Sequence, residues 1–174
     1  EGDLAFVENA TSGVNAVLRS LEFRPGDEIL STTHTYNAVR QTIREVCRRS
    51  GAKSIEARIT LPVEDAEGLL FPVVKSMTRK TKLVVLDHIA SPTGLIFPVK
   101  RLAAAARARG AKILVDGAHA PGQIALDIPS LGVDWYAGNG HKWLFAPKGC
   151  GFLWARRNAQ KGIHPPVISH GYGK

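Results

Sequence analysis

The sequence predicts an α/β fold: a mostly parallel sheet flanked by helices. Three observations carry this. Helical and strand-like patterns alternate along the chain, as parallel strands joined by crossover helices require. Several strand-like runs are apolar almost throughout, which suits strands buried by helices. Polar residues then follow these runs at Thr33–Tyr36, Asp87–Ser91, Asp116–His119 and Asn139–Lys142. Open α/β sheets hold their ligands beyond such carboxyl ends.

The elements follow in order. Val14, Val17, Leu18 and Leu21 have the spacing of an amphipathic helix, broken by Pro25-Gly26-Asp27. Glu28–Ser31 is a short strand. Tyr36, Val39, Ile43, Val46 and Cys47 line one face of a second helix, which Ser50-Gly51 ends. Lys53–Ile59 is extended. Leu69–Met77 is a weaker helix in which Pro72 is tolerable only near the first turn. Lys82–Asp87 and Lys112–Asp116 are buried strands, separated by an Ala-rich helix over Val99–Arg109 that stops at Gly110. Asp134–Ala137 and Gly151–Trp154 complete the set of strands.

A chain of 174 residues with 44% hydrophobic content can bury a sizeable core as one domain or part of a larger one. No apolar run reaches the roughly 18–20 residues of a membrane span. The first residues, Glu-Gly-Asp-Leu-Ala-Phe, lack a basic and then apolar leader. The chain has no initiator Met and opens directly into a motif, so it is expected to be cut from something longer. Cys47 and Cys150 form neither a CxxC nor a metal pattern, which predicts reduced thiols in a cytoplasmic protein. Net charge is +8, from 23 Lys and Arg against 15 Asp and Glu. The basic residues are scattered, with the densest patches at Arg40–Arg49, Arg101–Lys112 and Arg156–Lys161, the first two on predicted helix faces, so no nucleic-acid partner is expected. His88, His119 and His141 lack metal-ligand spacing, so no metal is expected either.

Gly138-Asn139-Gly140-His141-Lys142-Trp143 is the most informative stretch. It places one lysine between glycines, a histidine and an aromatic, after a strand. One strand upstream, Val115-Asp116-Gly117-Ala118-His119 ends an apolar run in an acid. Most lysines are simply solvated, but a partly desolvated amine becomes a nucleophile. An acid at a buried strand tip is costly unless paired, although Asp116 could equally cap a turn. Together they suit a pyridine aldehyde: the amine forms a Schiff base and the carboxylate keeps the ring nitrogen protonated. That chemistry points to pyridoxal 5′-phosphate. His119 then either reaches the ring's phenolic oxygen or is a satisfied core histidine. Asn9-Ala10-Thr11-Ser12-Gly13-Val14-Asn15 opens the first helix, where free N–H groups suit a phosphate, or where Thr11 or Ser12 is an ordinary cap. Tyr36 either stacks on the ring or staples the next helix. Ser91 either offers a hydroxyl to substrate or belongs to a Pro92–Gly94 turn.

Residues 9–15 (Asn-Ala-Thr-Ser-Gly-Val-Asn), Pro25–Leu30, Val115–Gly122 and Gly138–Trp143, in this order, resemble the class V aminotransferase family of fold type I pyridoxal-phosphate enzymes. The isopenicillin-N epimerase-like branch is the most similar, beside cysteine desulfurases and desulfhydrases. The resemblance implies the large domain of a fold type I transferase. It implies Lys142 as the Schiff-base lysine, Asp116 at the ring nitrogen and His119 at the ring oxygen. Tyr36 would stack on the ring, while Ala10, Thr11, Asn139 and His141 would hold the phosphate. Ser91 stands where desulfurases usually have asparagine, which argues against a standard desulfurase. The substrate would be a small amino acid, and the reaction an epimerisation, a lyase step or a transamination. Family members are much longer and carry a carboxylate-binding arginine in a C-terminal small domain. Residues 1–174 would therefore be a truncated large domain, lacking the N-terminal segment and the small domain, from a homodimeric protein. A cofactor-binding fragment without catalysis is the rival reading.

Overall fold

The computed structural model describes residues 2–170, 172 and 173. In chain order the elements are β1 (Leu4–Val7), α1 (Ala10–Ser20), β2 (Glu28–Thr32), α2 (Asn37–Ser50), β3 (Lys53–Ala57) and α3 (Ala66–Ser76). They continue with β4 (Thr81–Asp87), α4 (Val99–Ala108), β5 (Lys112–Gly117), α5 (Ile128–Leu131), β6 (Trp135–Asn139) and β7 (Gly151–Ala155). The strands form one sheet in the order β1-β7-β6-β5-β4-β2-β3. Strands β3, β2, β4, β5 and β6 are mutually parallel, as the alternation predicts. Strand β7 runs antiparallel between β6 and β1. Two reversals restore the direction of β1 to that of β6, so the end of β1 and the start of α1 reach the same sheet edge as the other carboxyl ends.

Each strand's side chains alternate between two faces. Leu83 and Val85 of β4 and Leu114 of β5 join Val14, Val17 and Leu18 of α1 and Val39 and Ile43 of α2 in one core. Val84, Leu86, Ile113 and Val115 point the other way, onto Leu69 and Val73 of α3 and Leu102 and Ala106 of α4. Burying each such large aliphatic side chain is worth about 1.5–3 kcal/mol. Asp87 and Asp116 continue the first pattern, so both acids emerge on the side of α1 and α2.

Three features depart from the sequence expectations. Helix α3 starts at Ala66, capped by the Asp65 side chain, so Pro72 sits in its interior, beyond the first turn. The carbonyl that loses its partner belongs to exposed Gly68, where water can take the bond. Strand β1 was not foreseen because it is a short, exposed edge strand, with Phe6 86% exposed. The single-turn α5 is too short to show a period. Elsewhere the expected stops hold: α2 ends at Gly51 in the left-handed conformation. The basic residues of α2 lie on its outer face, with Arg40 and Arg44 on Glu56 and Arg48 and Arg49 on Glu45. No helix among the described residues is long and apolar enough to cross a membrane.

Candidate active site

The carboxyl ends of β4, β5 and β6, the start of α2 and the start of α1 surround a cavity of about 220 Å3. That is below the roughly 300–1,000 Å3 of drug-sized sites, and suits one aromatic ring with a short substituent. Thr11, Tyr36, Ser91, Asp116, His119, Asn139, His141 and Lys142 all line it, together with Asn9, Asp87, Ile89 and Ala118. Segments that are remote in sequence thus converge as the polar strand ends predict.

The start of α1 is not capped by a hydroxyl. Its cap is Asn9, whose side chain accepts from the Ser12 amide at 2.9 Å. Neither Thr11 nor Ser12 caps, and Ser12 does not line the cavity. The Ala10 amide donates to buried Asn139 Oδ1 at 2.8 Å, which ties α1 to the end of β6 and withdraws that amide from any ligand. The Thr11 amide donates to no group among the described residues. It therefore remains available, with the positive end of the helix dipole behind it. Tyr36 precedes α2, is 45% exposed and makes no side-chain capping bond, which favours a face open to a ligand over a buried staple.

Lys142 is half-buried, and its Nζ lies 3.0 Å from His119 Nε2. Trp143 Nε1 donates to His119 Nδ1 at 3.1 Å. Desolvation lowers the pKa of Lys142, while the nearby Asp116 and Asp87 charges oppose it. Burial and then the Lys142 charge lower the pKa of His119. His141 Nδ1 donates to the Cys150 carbonyl at 2.9 Å, leaving Nε2 toward the cavity. Gly122 holds these loops together. It adopts φ +87°, and a Cβ there would sit 2.4 Å from the Trp143 carbonyl oxygen, so the turn after β5 rests directly on the chain after Lys142.

Two acids flank the lysine. Asp116 accepts from the Ala118 amide at 3.0 Å, and its burial raises the pKa of its carboxyl. Asp87 is its register partner on β4, and sequence reasoning gave it no role at the site. Only the parallel pairing of β4 with β5 brings the two together. Asp87 Oδ2 accepts from the Tyr36 amide at 3.2 Å, while Oδ1 is buried without a hydrogen-bond partner. Burial, reinforced by Asp116, pushes the Asp87 carboxyl up to about 8. Between the unfolded value of about 4 and that value, the folded state alone holds the proton. Stability is therefore full below about pH 4 and lost as pH rises through 8. Asp87→Asn is expected to flatten the dependence of Tm on pH across that window in cofactor-free protein, with a residual slope from Asp116. Unchanged slope in a pH series of thermal melts would contradict this protonation state.

The chain that builds this cavity is similar in sequence and fold to known proteins. The profile of the aminotransferase class-V family matches residues 1–172. The isopenicillin N epimerase of Streptomyces clavuligerus is 40% identical over 170 residues, covering 97% of this chain and 42% of that protein. The L-cysteine desulfhydrase of Arabidopsis thaliana is 27% identical and covers 98% of this chain and 41% of its own length. The structure of the cystine C–S lyase C-DES, in complex with its product cysteine persulfide, superposes with a TM-score of 0.88 at 30% identity. That match covers 96% of this chain and 45% of the lyase. The chain thus spans about two fifths of the length of these relatives. From the profile match along nearly its whole length, and from a fold shared with the lyase, the chain belongs to the class-V aminotransferase family.

Proposed function

We propose that this chain is the cofactor-binding part of a large domain, in a pyridoxal-phosphate enzyme that acts at the α-carbon of a small amino acid. The observation that carries this reading is that Lys142 Nζ and the buried acid Asp116 face one small cavity. The residues fit such a cofactor. An acid needs a cationic partner at that depth, and a free helix-start amide suits a phosphate. When bound, the cofactor supplies an electron sink that delocalises the charge left by removing the α-proton.

The chain's own residues divide the work. Lys142 Nζ would hold the cofactor through its aldehyde and, released when the substrate's amino group takes its place, would move the proton at the substrate α-carbon. Asp116 would stay ionised to hold the ring nitrogen, where a charge-assisted hydrogen bond in a buried site is strong. His119 would hold the ring oxygen. The Thr11 amide, the α1 dipole and His141 would hold the phosphate, while Asn139 fixes α1 in place through the Ala10 amide. Tyr36 would cover the ring and exclude water, and Ser91 stands at the exposed mouth. Epimerisation, β-elimination and transamination would share removal of the α-proton and then part: the proton returns to the opposite face of the α-carbon, a β-substituent leaves with its bonding electrons, or the proton goes to the cofactor carbon. Similarity to an epimerase and to a C–S lyase supports the first two.

Ser12 and Ala10 take supporting positions in this reading. The carboxylate-gripping arginine belongs to the rest of the full-length protein, so the present segment alone binds cofactor without turning over substrate. Exposed Ile96, Leu144 and Phe145 beside the site support a homodimer of the full-length protein, which sedimentation would test. The free thiols of Cys47 and Cys150 support a cytoplasmic setting. Titration with pyridoxal 5′-phosphate tests the central reading: saturation at one equivalent per chain, with a visible absorption band, is expected. Unsaturable or absent binding in the full-length protein would overturn it.

A further inference from the structure

We propose that Trp143 is a positioning residue whose indole N–H fixes the tautomer of His119, so that Nε2–H faces Lys142 and the lysine waits as a free amine. The inference rests on the cofactor reading for its purpose, but not for its geometry. An indole N–H can only donate, so the 3.1 Å contact makes His119 Nδ1 an acceptor. A neutral imidazole has one ring proton, which must then sit on Nε2. That nitrogen is 3.0 Å from Lys142 Nζ, so Nε2–H donates and the amine's lone pair accepts.

The other proton arrangements fail at one contact or the other. A lysine ammonium donating to Nε2 would require the imidazole proton on Nδ1, pointing at the indole N–H. An imidazolium would point protons at both neighbours. Only imidazole protonated at Nε2 beside a neutral amine satisfies both bonds. The ring of Trp143 lies 6.4 Å from that of His119, tilted by 51°, which is compatible with an in-plane nitrogen contact. Burial acts in the same direction on both groups, lowering the pKa of Lys142 and of His119.

The remaining titratable neighbours are Asp116 and Asp87 from β5 and β4, Tyr36 before α2 and His141 beside Lys142. The two acids favour an ammonium, but burial raises the pKa of both, which weakens that pull. Trp143 thus tips the balance toward the nucleophile through His119, without touching the reacting atoms itself. It is 44% exposed, so replacing it does not open the core.

Two measurements on cofactor-free full-length protein test this. In ¹⁵N-histidine NMR, with His119 assigned by His119→Gln, the wild type should show the tautomer protonated at Nε2, and Trp143→Phe a mixture. In competitive labelling with acetic anhydride followed by mass spectrometry, Trp143→Phe should raise the apparent pKa of Lys142 and so lower its labelling at neutral pH severalfold. A Trp143 that merely packs would leave both readouts unchanged, and that result would overturn the proposal. So would a wild-type His119 protonated at Nδ1, which decides the question even if the variant folds poorly. Neither readout uses the cofactor. Failed cofactor binding with the expected tautomer would count against the proposed function alone.

Discussion

Lys142→Ala is expected to abolish covalent capture of the cofactor. After borohydride reduction with pyridoxal 5′-phosphate, wild-type protein should carry the cofactor's mass on the peptide containing Lys142, and the variant should carry none in its place. Among the described residues Lys142 is the lysine that lines the cavity. In the full-length enzyme, turnover should fall by at least roughly a thousandfold, the scale seen when a group acting at the reacting atom is removed. Folding should survive, because the side chain is half-buried and its amine makes one hydrogen bond, to His119. A labelled peptide elsewhere, or retained turnover in Lys142→Ala, would assign the chemistry to another residue.

Gly117→Ala is expected to cost stability rather than chemistry. A Cβ at Gly117 would lie 2.0 Å from Tyr136 Cε1, 2.1 Å from Cζ and 2.3 Å from the hydroxyl oxygen. Tyr136 has nowhere to go. It is fully buried, bonded through its hydroxyl to His88 Nδ1 at 2.9 Å, and stacked within 7° of parallel on Phe152. Phe152 in turn fills the space at Gly138, the register partner of Gly117. Overpacking of this kind costs about 3 kcal/mol or more, and breaking the Tyr136–His88 bond adds about 1 kcal/mol. Together that is roughly 10 °C in Tm for a chain of this size. Because Gly117 follows Asp116, cofactor affinity should fall as well. Tyr136→Leu in the same chain should recover part of the loss, as contacting residues couple. A wild-type melting curve for Gly117→Ala would show that the ring and the strand are not in such close contact.

The strand ends explain how much the sequence could reveal. Asp116, Asn139 and Lys142 each follow an apolar run, and burial of that run fixes where the polar residue emerges. Pairings across the sheet are a different matter. Asp87 gains its meaning from register with Asp116, and no local pattern encodes which strand lies beside which. The Trp143 contact to His119 is likewise a side-chain pairing that no local pattern encodes. At α1 the error was one of boundary. Asn9, Thr11 and Ser12 are all plausible caps, and the choice of Asn9 follows from Asn139 seizing the Ala10 amide. At Pro72 the orphaned carbonyl, of exposed Gly68, faces water, which can replace the lost hydrogen bond, an exposure that no local pattern encodes.

Gly122 has a consequence for how this site can vary. With no side chain at that point, the imidazole-bearing turn seats flush on the backbone behind the amine. It works as a spacer of zero thickness. Any larger residue would be a wedge, parting the two nitrogens while leaving each intact, so that reactivity could be detuned by a change that touches neither.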